Sequence, residues 1–78
     1  MDQELRIYAV MEAIENLSRQ RGYPPTVREV GTVVGVSSPS TVHEVIKVLK
    51  RRGWAISDER IPRSLRLTAT GMECIASE

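Results

Sequence analysis

Between Thr26-Val27-Arg28-Glu29 and Gly35 there is room for only about two turns of helix, and Ser38-Pro39 opens another helix three residues later. Thr26 to Glu29 reads as a capping box: the Thr hydroxyl takes the amide three residues on, and the Glu carboxylate reaches back. Val27, Val30, Val33 and Val34 supply an apolar stripe, and Gly35 stops the helix. Ser38 then suits an N-cap, with Pro39 at the first helical position. Val42, Val45, Ile46 and Leu49 form the buried face of this next helix. Lys50, Arg51 and Arg52 complement the dipole at its end, and Gly53 terminates it. Two short helices joined by about four residues that include a glycine make a helix-turn-helix.

The flanking segments complete the plan. Ile7, Val10, Met11, Ile14 and Leu17 recur at helical steps over 3–20, ahead of a cap at Gly22. Tyr23-Pro24-Pro25 forces an extended connection into the second helix. Beyond Gly53 the period changes: Trp54-Ala55-Ile56-Ser57 and Leu65-Arg66-Leu67 alternate around the polar stretch 58–64. This predicts a two-stranded hairpin with a basic tip, the wing of a winged helix. Thr68-Ala69-Thr70-Gly71 predicts the cap of a short last helix bearing Met72, Ile75 and Ala76. The expected fold is mainly α with a small β-hairpin, a three-helix winged helix-turn-helix with a short fourth helix, forming one domain over residues 1–78.

Composition narrows the function. A 78-residue chain has little room to enclose a substrate pocket, which favours a binding module over an enzyme. There is no Phe, so the core has to be aliphatic. One Cys excludes an internal disulfide framework or a Cys-based zinc site, and one His leaves no metal-ligand spacing. No cofactor, small-molecule ligand or membrane partner is expected, and a reducing cytoplasm, at the nucleoid, is the expected location. The formal net charge is only +1, but its distribution is uneven. Residues 1–18 sum to −3, residues 19–66 to +6 and residues 67–78 to −2. A basic middle between acidic ends suits a polyanion approached from one side.

The candidate site follows from the third helix. With its aliphatic residues turned inward, Ser40, Thr41, His43, Glu44 and Lys47 face out, and Ser38 stands at its start. Such a helix fits a major groove, where hydroxyls bond phosphate or base edges and Glu accepts from cytosine. The bland alternative is a capping serine followed by solvated side chains. Arg60 and Arg63 at the wing tip are expected to reach flanking phosphate or minor groove, against a purely solubilising role. Thr26 and Arg28 begin the second helix, whose amides can hold a phosphate in addition to being capped. His43 with Ser40 three residues away is too little for a hydrolase. Cys74 reads as a small hydrophobe, and Trp54 as the anchor of the wing.

The run Gly22-Tyr23-Pro24-Pro25-Thr26-Val27-Arg28-Glu29-Val30-Gly31, followed by Val34-Gly35-Val36-Ser37-Ser38-Pro39-Ser40-Thr41-Val42-His43, resembles the DNA-binding domain of LexA-type SOS repressors. The likeness continues through Leu49, Arg52-Gly53 and Pro62-Arg63, covering about residues 3–67. It implies a winged helix-turn-helix that reads an operator with its third helix. By position, Ser38, Ser40, Thr41, His43 and Glu44 fall where that family contacts DNA, and Arg60 to Arg63 fall at its wing. Proteins of that type continue into a self-cleaving, dimerising domain with a Ser–Lys dyad. Residues 67–78 instead resemble the Leu-Thr-x-x-Gly entry into a final helix of other winged-helix regulators, such as the MarR type. Self-cleavage is therefore not expected, and a stand-alone phage or mobile-element regulator is. The expected function is sequence-specific double-stranded DNA binding as a repressor, with helix 39–52 in the major groove, the wing 58–64 beside it, and pairing into a homodimer on DNA. The competing expectation is a winged-helix protein-interaction module, an antirepressor or a replication accessory factor.

Overall fold

The computed structural model describes residues 3–77. Four helices, α1 (Gln3–Arg21), α2 (Val27–Val34), α3 (Pro39–Arg51) and α4 (Ala69–Ala76), surround a two-stranded antiparallel ladder of β1 (Ala55–Ile56) and β2 (Arg66–Leu67). This is the winged helix-turn-helix expected from the residue pattern, with the fourth helix formed. The core is aliphatic throughout: Ile7, Val10, Met11 and Ile14 of α1 cluster with Val30 of α2, Val42 and Leu49 of α3, and Leu65 and Leu67 at the returning arm of the wing.

The short second helix is held at both ends. Thr26 Oγ1 accepts from the Glu29 amide at 3.2 Å, and Glu29 Oε1 accepts from the Thr26 amide at 2.8 Å. Gly35 closes the helix at φ +84°, a left-handed conformation that suits glycine, and its amide donates to the Gly31 carbonyl. One valine departs from the expected stripe: Val33 is 58% exposed. At 3.6 residues per turn, Val27, Gly31 and Val34 share one flank of Val30 and Val33 lies on the other. That buried flank faces α3, and Gly31 allows the close approach. A Cβ there would sit 3.2 Å from the Val36 carbonyl and from Val42 Cγ2.

Ser38 occupies the N-cap position of α3 but its hydroxyl makes no capping hydrogen bond, a correction to the expectation. Ser40, two residues on, offers a competing hydroxyl, and the two Oγ atoms lie 3.0 Å apart. At the other end, Arg52 does more than face the helix dipole. Its guanidinium holds Glu4 of α1, with Nη2 to Oε1 at 2.8 Å, and lies 4.9 Å over the Trp54 ring. Trp54 in turn meets Tyr8 of α1, with ring centroids 6.2 Å apart, so it anchors the wing as expected.

The ladder is shorter than the alternation predicts. Only Ala55 with Leu67 and Ile56 with Arg66 are paired. Past Ile56, side-chain chemistry replaces the ladder: Ser64 Oγ accepts from the Asp58 amide and donates to the Asp58 carbonyl, both at 2.8 Å. After β2, Thr68 caps α4 by accepting from the Gly71 amide at 3.1 Å, and donates to the Gly53 carbonyl at 2.6 Å. Helix α4 packs on α1 and β2. Among the described residues, no helix is long and apolar enough to cross a membrane.

Candidate nucleic-acid interface

Helix α3 divides cleanly. Val42, Val45, Ile46 and Leu49 are buried, while Ser40, His43, Glu44 and Lys47 are exposed and Thr41 is half-buried. Two open grooves flank the outward side. The groove against α2 is lined by Arg28, Thr32, Ser37, Pro39 and His43. The groove against the wing is lined by Thr26, His43, Lys47, Lys50, Asp58 and Arg63. His43 stands on the ridge between the two. Lys47 Nζ is 3.5 Å from Glu44 Oε1, with both side chains about 70% exposed, a weak tie in water. The acidic residues Glu12 and Glu15 of α1 lie elsewhere, along the groove between α1 and α4. Ser38, at the mouth of α3, and Arg28, on the first turn of α2, are both exposed.

The two wing arginines are separated by the structure. Arg60 projects, its side chain 90% exposed, with its Nε 3.3 Å from Asp58 Oδ1. Arg63 turns back. Its Nη1 donates to the Pro24 carbonyl at 3.2 Å and to Glu29 Oε1 at 3.0 Å, and its guanidinium lies 4.8 Å over the Tyr23 ring. Glu29 also binds Arg21 at the end of α1. By sequence Glu29 is only a capping residue, and Arg21 does not stand out. Nothing local signals this cluster, because its members come from positions 21, 29 and 63. Lys50, a dipole partner by sequence, also lines the wing groove.

The Thr26 amide, followed by the Arg21 and Arg63 guanidinium groups, lowers the Glu29 carboxyl from 4.5 to about 2. A depressed carboxylate contributes stability that is present above its ordinary value. Glu29 therefore loses its contribution as pH falls from about 4.5 through about 2. A carboxyl-carbon NMR titration is expected to place the Glu29 midpoint near the low end of that window. A midpoint at 4.5 would show the cluster unformed in solution.

The family model described as the LexA DNA binding domain matches residues 5–64. The chain belongs to this family. Among similar proteins are the LexA repressor of Pelotomaculum thermopropionicum, 49% identical over 59 residues, covering 76% of this chain and 29% of that protein. The LexA repressor of Thermobifida fusca is 44% identical over 59 residues, covering 76% and 23%. That of Lactiplantibacillus plantarum is 40% identical over 75 residues, covering 96% and 36%. The chain thus spans about a quarter to a third of the length of these relatives. The family match takes in the helix-turn-helix, β1 and the wing loop of this LexA-type domain, and ends before β2. It stops short of α4, whose capping threonine is Thr68.

Proposed function

We propose that this LexA-type domain is a sequence-specific double-stranded DNA-binding transcriptional repressor, acting in the cytoplasm at the nucleoid and not as an enzyme. Helix α3 enters the major groove with Ser38 at its entry, Ser40, Thr41, His43 and Glu44 toward the base edges and Lys47 toward the backbone at the groove's edge. Thr26 and Arg28 approach one flanking backbone, and Arg60 brings the wing to the other or to its minor groove. The observation that carries this reading is the two-sidedness of α3: an aliphatic face buried in the core, and a hydroxyl, imidazole and charged face left open between two grooves. A single module of this kind buries roughly 600–1,000 Å² on DNA, so pairing on adjacent half-sites is part of the proposal.

The test is selection of bound sequences from a random duplex pool at about 150 mM salt, where non-specific binding is suppressed. An enriched motif is expected, and a palindrome in it would give the half-site spacing of the pair. Ser40→Ala and His43→Ala are expected to relax the motif at particular base pairs, by roughly 1 kcal/mol or more for each base-edge hydrogen bond removed. A pool that enriches nothing would overturn the proposal, and an equal loss on every sequence would remove direct readout by these two residues.

A further inference from the structure

The wing carries a weak attachment of its own. Two paired residues on each strand and the Ser64–Asp58 hydrogen bonds join its arms, and the loop between the strands runs from Ser57 to Leu65. The contacts that fix its far side converge on one carboxylate. Glu29 Oε1 accepts from Arg63 of the wing and from the Thr26 amide at the start of α2, while Oε2 takes Arg21 from the end of α1. Arg63 is committed to this contact along its whole length. Its backbone is at φ +56°, the only positive φ outside glycine among the described residues, and its guanidinium is stacked on Tyr23.

We infer that Glu29 and Arg63 are positioning residues that pin the wing to the entrance of the helix-turn-helix, setting the gap between Arg60 and α3 before DNA arrives. The inference rests on the proposed function for its consequence, though not for its geometry. In this arrangement Arg63 is a strut and not a phosphate ligand. A guanidinium already shared between a carboxylate, a carbonyl and an aromatic face has to surrender those contacts to reach the backbone of DNA. The opposite reading makes Glu29 a mask that keeps Arg63 from phosphate, and the two predict opposite signs for one substitution.

Glu29→Gln retains an amide oxygen that can cap Thr26 but loses the charge that holds Arg63. On the duplex enriched by selection, we expect affinity to fall about threefold to tenfold with the salt dependence unchanged. Arg63→Gln is expected to fall similarly, and the double substitution no further than either single one. Glu29→Gln removes a negative charge, which by itself favours DNA, so a fall in affinity cannot come from net charge. Tighter or unchanged binding by Glu29→Gln would overturn the inference. So would an Arg63→Gln slope of log K against log salt shallower by about one. If no duplex is enriched, the proposed function has failed, and exchange of the wing-loop amides of residues 58–61, 63 and 64 without DNA still decides the strut. Faster exchange in Glu29→Gln supports it, and unchanged exchange overturns it.

Discussion

Gly71→Ala is expected to unfold or nearly unfold the domain, although alanine is the better helix former. Gly71 is on the first turn of α4, and a Cβ built there falls 2.1 Å from the Trp54 carbonyl oxygen and 3.0 Å from its carbon. Propensity alone favours alanine by about 1 kcal/mol. The clash acts in the other direction and has little means of relief, because its partner is backbone. The Trp54 carbonyl accepts from the Thr68 amide at 3.0 Å, in the same linker whose Thr68 hydroxyl holds the Gly53 carbonyl. Moving α4 and Thr68 away together breaks both bonds. A net cost of at least about 3 kcal/mol follows. Against a total of order 5 kcal/mol for a chain this small, that is most of its stability. Calorimetry should show Tm falling by more than about 12 °C. An unchanged or raised Tm would mean that α4 does not dock as described.

Lys47→Glu is expected to have the largest effect on DNA affinity without disturbing the fold. The side chain is 69% exposed and its one partner is the equally exposed Glu44, so the stability change should stay within about 0.5 kcal/mol. On the proposed surface the substitution removes a phosphate partner and places a like charge beside DNA, next to Glu44. Affinity at about 150 mM salt is expected to fall tenfold to a hundredfold, and the salt slope to shrink by about one unit. Filter binding across a salt series, with circular dichroism to check helicity, measures both. Unaltered affinity would show that the outward side of α3 does not approach the backbone.

Much of this architecture is legible locally, because its punctuation is short-range chemistry. The Thr26–Glu29 box, the Gly35 stop and the Thr68 cap each join residues three or four positions apart, and each forms as expected. The departures arise where distant segments compete for a side chain. Arg52 belongs by sequence to its own helix end, but Glu4, 48 positions away, takes it. Arg63 has the sequence position of an outward wing residue, and Glu29, 34 positions away, turns it inward. Val33 matches the apolar stripe in type, but its flank of α2 is left largely open to solvent. Ser38 matches an N-cap, yet a second hydroxyl at Ser40 draws its own away. The outward residues of α3 are identifiable because their buried neighbours recur at helical spacing. The groove they share with Lys50 and the wing is not, since it depends on where the hairpin lies.

The placement of Trp54 gives the molecule a built-in optical reporter. It is the only tryptophan, and its environment is assembled from Tyr8 of α1, Arg52 at the end of α3 and the linker that leads into α4. Its intrinsic fluorescence therefore samples the junction of three helices with the wing, without a label. Detachment of α4 or loss of the Glu4–Arg52 tie alters the shielding of the same indole that global unfolding exposes. Comparing its emission with the loss of helicity during denaturation separates a domain that melts as one unit from one that loosens first at this seam.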